Sequence, residues 1–170
     1  MKKLLFTLMM LLVSCVTFAG DVTSGNKKFL KNEGTMLMVF DWANAEYGEK
    51  GSLKEHWADD DPGYERRVSD AQKTILAAFN KKSKKMKAVT SGTADYTMTV
   101  KIEKIDYFFS VMSIVPGHKH TVWATVTVTD KTGAKVCEMK YERFKGARDF
   151  VAYDSYIKLM EAFGEALAEK

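Results

Sequence analysis

Two histidines are the first residues whose type and spacing could do chemistry. His118 and His120 lie two apart, so on a strand both imidazoles point to one side. Neutral imidazoles so placed can share a metal when a third ligand arrives from elsewhere, and His56 or an acid such as Asp106 would have to supply it. The competing reading is a solvated pair at a hairpin mouth after Pro116-Gly117. It is preferred, because open metal sites bring a recognisable third ligand. Cys137 would be a nucleophile only with a base beside it. Its alternation with Met139 and Tyr141 puts it on a core face instead. Asp59-Asp60-Asp61 offers hard oxygens for calcium, but without the alternate spacing and glycine of an EF-hand loop. Helix capping explains it better. No nucleophile elbow, phosphate-binding glycine loop or paired-cysteine metal motif occurs, so the sequence assigns no catalytic residue and no cofactor.

Two further segments read as surfaces rather than as chemistry. Lys81, Lys82, Lys84 and Lys85 form a cationic run that could touch anionic lipid; the plainer reading is a solvated helix end. From Tyr107 to Val115 the chain is nearly continuous in apolar residues: Phe108, Phe109, Val111, Met112, Ile114 and Val115 enclose two serines. Either this hairpin end curls back over its own sheet or it meets a partner. Lys104 precedes it and His118, Lys119 and His120 follow. An apolar patch with a cationic rim suits an anionic lipid surface or an acidic protein groove. On that reading, replacing Phe108 and Met112 with serine weakens binding and leaves stability nearly unchanged.

The elements that must position these residues follow a secretory address. Lys2 and Lys3 open the chain, and Leu4 to Val13 runs apolar except for Thr7. That run is too short for a stable membrane span of about 20 residues, and it has the layout of a bacterial signal peptide. Cleavage after Ala19 releases a chain starting at Gly20. The alternative is a lipobox, Leu12-Val13-Ser14-Cys15, which removes 1–14 and acylates Cys15. Of 26 basic residues, 24 remain against 22 acids once Lys2 and Lys3 are gone, a formal +2. So mild a charge gives no argument for nucleic acid. Cys137 is then the one remaining thiol, and the core must hold the fold without a disulfide.

Residues 20–34 are polar with glycine breaks and read as a flexible tether, with one helical turn around Phe29-Leu30. Residues 35–170 read as a single domain. Met36 to Phe40 suits a strand buried on both faces. Asp61-Pro62 predicts a helix start, with an apolar stripe through Tyr64, Val68, Ala71, Ile75 and Phe79 and an end near Asn80. After Gly92 the period falls to two. Tyr96, Met98, Val100 and Ile102 share a face, and the phase slips at Glu103-Lys104, as at a bulge. His120 to Thr129 alternates again, Asp130-Lys131-Thr132-Gly133 reads as a hairpin turn, and Lys135 to Phe144 is the last strand. A closing helix from Asp154 to Glu169 carries Tyr156, Leu159, Met160, Phe163 and Leu167, with Gly164 marking a close contact. The expected fold is an α+β two-layer sandwich: strand, helix, three-strand meander, helix, with both helices on one face of a four-stranded sheet.

That order, behind an export signal, resembles the small assembly lipoproteins of Gram-negative envelopes, the LptE-like proteins. The resemblance implies an envelope role but carries no residue by motif. The expectation is a non-enzymatic assembly, adaptor or ligand-binding module, periplasmic or secreted, or anchored at the outer membrane through Cys15. Its partner would be an envelope protein or an anionic lipid or glycolipid. A small metal-dependent or hydrolytic enzyme, and a dedicated lipid-binding protein, are the alternatives.

Overall fold

The computed structural model describes residues 20–110 and 117–169. The fold is α+β, with a mixed seven-stranded sheet in place of the expected four. Strands β1 (Asp21–Gly25), β2 (Gly34–Asp41), β3 (Glu46–Tyr47), β4 (Met86–Val89), β5 (Tyr96–Ser110), β6 (Gly117–Asp130) and β7 (Lys135–Lys145) line up as β1-β7-β6-β5-β2-β4, with β3 beside β5. The β5, β6, β7 and β1 pairings are antiparallel, whereas β2 runs parallel to both β4 and β5. Among the described residues three α-helices accompany the sheet: α1 (Leu53–His56), α2 (Tyr64–Lys82) and α3 (Ala152–Ala168). Among the described residues no helix is long and apolar enough to cross a membrane.

The meander follows the residue pattern closely. In β5 and β6, Met98, Val100, Ile102, Val122, Ala124, Val126 and Val128 are fully buried, and the residues between them are partly exposed or exposed. The β5–β6 register slips between Ile102 and Lys104, so Ile102 and Ile105 both reach the buried face. Gly133, at φ 85°, closes the β6–β7 turn in the left-handed conformation that glycine adopts without strain. The Asp130 carboxylate accepts from the amides of Thr132 and Ala134 in the same turn.

Four expectations change. The tether of residues 20–34 instead contains β1, paired to β7, and a 3-10 helix over Lys27–Lys31 that buries Phe29 and Leu30. Strand β1 is exposed throughout and joins the sheet through its backbone, so it leaves no apolar pattern to read. Strand β2 is not buried on both faces. Met36 and Met38 point inward while Val39 is 42% exposed. Helix α2 does not start at Asp61-Pro62: Gly63 is its N-cap, without a side-chain cap. The Pro62 carbonyl accepts from Arg67 Nε at 2.6 Å and stays outside the helix. Strand β4 was hidden in the lysine run, where Met86 and Ala88 alternate inward with Lys85 and Lys87 outward.

Helices α2 and α3 pack on each other and share one buried cluster with the inner sheet face. They meet tightly at Gly164. A Cβ there would lie 2.5 Å from the Ile75 carbonyl oxygen and 2.9 Å from Ala78 Cβ. A glycine inside a helix costs about 1 kcal/mol against alanine, and the backbone contact it permits is the reason to keep it.

Candidate binding surface

Strands β5 and β6 stay paired out to Ser110 and Gly117. Because β5 alternates, Tyr107 and Phe109 lie on the helix side while Asp106 and Phe108 lie on the open side. Phe108 is 60% exposed and Phe109 48%. Both belong to the apolar segment singled out in the sequence; Val111, Met112 and Ile114 of that segment lie outside the described residues, as does Cys15. Sequence reading missed an extension of this patch. His118 and Asp149 exchange backbone hydrogen bonds of 2.7 and 3.0 Å, which bring Phe150 (77% exposed) and Val151 beside the hairpin. Adjacent apolar residues between Gly146 and the stripe of α3 were the available signal.

On the helix side, the two histidines do share a face, with different fates. The Tyr107 hydroxyl and His118 Nδ1 are hydrogen-bonded at 2.5 Å, and Phe109 packs its ring 4.7 Å from that imidazole. His120 is buried against Tyr107 and Tyr156, with Nδ1 at 3.3 Å from Ser155 Oγ. Burial, and secondarily the charges of Arg67 and His118, pull its pKa down to about 4. Neither expected third ligand joins them. His56 stacks on Tyr47 at 3.9 Å, and Asp106 faces the other side of the sheet, where it accepts from the Tyr107 amide. Among the described residues no group of three or more His, Cys, Asp or Glu is placed to hold a metal.

The other sequence candidates settle into structure. Cys137 is buried, and burial pushes its thiol pKa up, away from the reactive thiolate. Of the acidic run, Asp60 pairs with Arg67 at 3.2 Å, and that guanidinium lies over Trp57 and Tyr153. Lys81 bridges to Glu161 and Glu165, and Lys82 to Glu169, so both tie α2 to α3. Lys84 and Lys85 are exposed and, with Lys82, Leu30 and Glu169, line a shallow cavity at the opposite pole from Phe108.

On the open side, Phe108 borders a cleft of about 250 Å³ lined by Asp106, Tyr107, Lys119, Thr121, Arg143 and Lys145. Adjacent strands supply the cations: Lys119 pairs across from Phe108, and Lys145 across from Thr121. Arg143 sits where the β6–β7 register slips, at φ 56°, a left-handed backbone that costs a non-glycine residue about 1–2 kcal/mol. The Lys119 ammonium is held below the ordinary lysine range, first by burial and then by repulsion from Lys145 and Arg148. The cleft therefore crowds positive charge beside an exposed phenyl ring.

No family model matches the chain, and no curated protein matches it in sequence. Among solved structures it is similar to PelC of Paraburkholderia phytofirmans, crystallised as a dodecamer. That match has a TM-score of 0.47 and 13% identity, over 86% of this chain and 96% of that one. It is also similar to a DUF330 protein of Xanthomonas campestris, with a TM-score of 0.51 and 10% identity, over 88% of this chain and 90% of that one. At this identity, the likeness to the DUF330 protein concerns the fold alone.

Proposed function

We propose that the chain is an exported envelope protein acting as a non-enzymatic binding module, which docks on an anionic lipid or glycolipid surface through the β5–β6 tip. The observation that carries this reading is the exposure of Phe108 and Phe109 at the end of a strand whose neighbours are cationic. Soluble domains seldom leave two adjacent phenylalanines in water without a use for them. Inserting each ring is worth roughly 1.5–3 kcal/mol by area, and each nearby cation about 1 kcal/mol at an anionic surface. Vesicle flotation tests it. Phe108→Ser with Phe109→Ser should lower binding at least tenfold and leave the melting temperature nearly unchanged. Unfolding of the double variant would make the segment part of the core and end the proposal. Capture of one envelope protein with no vesicle binding would favour the adaptor reading that the LptE-like resemblance implies. Stoichiometric zinc lost on His118→Ala would replace both with the metal-enzyme alternative.

Export belongs to the same proposal and rests on the Lys2-Lys3 start and the apolar run after it. The mature protein is expected to lack residues 1–19, or 1–14 with an acylated Cys15. Its intact mass separates the two, since acylation adds a diacylglycerol. A protein recovered from the cytoplasm with Met1 in place would overturn the localisation.

A further inference from the structure

We infer that the cleft beside Phe108 is a headgroup site for the phosphate of an anionic phospholipid, held by Lys119, Arg143 and Lys145 while Phe108 reaches the acyl region. The inference deepens the docking proposal and rests on it for the lipid as the source of the phosphate.

Three features of the cleft converge on this ligand class. The first is charge. Three cations drawn from β6 and β7 line it against one carboxylate, Asp106, which already accepts from the Tyr107 amide. Burial, and after it repulsion from Lys145 and Arg148, disfavours the charged form of Lys119. A bound anion would relieve that repulsion, because opposite charge favours the ammonium. The second is backbone. Arg143 keeps a left-handed conformation at a strand irregularity and lines the cleft, at a position where glycine would sit without strain. Strained backbone that aims a side chain is characteristic of binding sites, and guanidinium matches phosphate with paired donors. The third is shape. The cleft is large enough for a phosphate group and its glycerol, and it opens directly onto the exposed Phe108 ring. A free anion would have no use for that ring, whereas a lipid presents a charged head and an apolar chain in this order.

The test uses the whole mature protein with two probes: vesicles of phosphatidylcholine with or without phosphatidylglycerol, and dihexanoyl phosphatidylglycerol kept monomeric. Wild type should prefer the anionic vesicles. Lys119→Gln with Arg143→Gly should lose roughly 25-fold in affinity for them, about fivefold per charge removed. Binding to phosphatidylcholine should be unaffected. Neither change threatens folding: glycine relaxes the backbone at Arg143, and glutamine removes a disfavoured charge at Lys119, so an unchanged or raised melting temperature is the control. In amide NMR spectra, the monomeric lipid should shift Lys119, Thr121, Arg143 and Lys145 together. If the double variant binds anionic vesicles like wild type, or the lipid leaves these amides unmoved, the site is refuted and the docking tip stands or falls by its own phenylalanine variants. If inorganic phosphate alone moves the same amides as strongly, the lipid assignment is refuted. If wild type floats with neither vesicle while the monomeric lipid still moves the cleft, docking fails and the headgroup site survives.

Discussion

Phe163→Ala is expected to destabilise the fold by about 3–5 kcal/mol, the range for deleting a fully buried aromatic ring. Phe163 is wholly buried on α3, edge-on to Tyr141 at 4.9 Å and to Phe144 at 5.6 Å, both on β7. Its ring thus joins the last helix to β7, the strand that precedes it in the chain. The helix cannot slide inward to fill the gap, because Gly164 already holds it in backbone contact with Ile75 of α2. A cavity that cannot collapse puts the loss at the upper end of that range. Equilibrium unfolding in urea measures it. A loss under about 1 kcal/mol would mean that α3 is not docked on the sheet as described.

Acid is expected to weaken the fold through His120. Its folded pKa is about 4, depressed by burial below the ordinary histidine value of about 6.5. The unfolded chain therefore binds the proton more readily, and stability falls as pH drops from 6.5 towards 4. Linkage puts the loss at about 2 kcal/mol by pH 5 and about 3 kcal/mol by pH 4, after which it levels off. Carboxylates elsewhere titrate in the same window, so the comparison is with His120→Leu, a variant that cannot take up this proton. The gap between the two unfolding free energies should shrink by these amounts between pH 7 and pH 4. A gap independent of pH would show that His120 remains solvated. His120 also packs against Tyr107, which hydrogen-bonds His118 at the base of the tip. Acid destabilisation should therefore be felt first where the tip joins α3.

The sequence alone determined the elements that carry a period. Alternation over β5, β6 and β7, the slip at Glu103-Lys104, the Gly133 turn and the stripes of α2 and α3 were all legible, because burial on one face forces a repeat of two or 3.6 residues. Val100, Val126 and Phe163 share one buried cluster, as a period of two on the strands and of 3.6 on α3 requires. The side shared by His118 and His120 follows from the same period of two. The apolar tip and its cationic flank were legible as composition.

Tertiary structure decided what has no period. Strand β1 pairs through its backbone and β3 is two residues long, so neither leaves a side-chain signal. Strand β4 is short and lies among lysines. These three enlarge the sheet from four strands to seven and turn the supposed tether into an edge. The cleft beside Phe108 is of the same kind. Lys119, Arg143 and Lys145 come from two strands, and the register of β6 on β7, with its slip near Arg143, brings them to one place. Charge in a linear sequence reads as a local run such as Lys81 to Lys85, and two of those lysines are spent on ion pairs between helices. The cations that could meet a ligand are scattered in sequence and assembled by strand pairing, which depends on backbone partners that the order of side chains does not name.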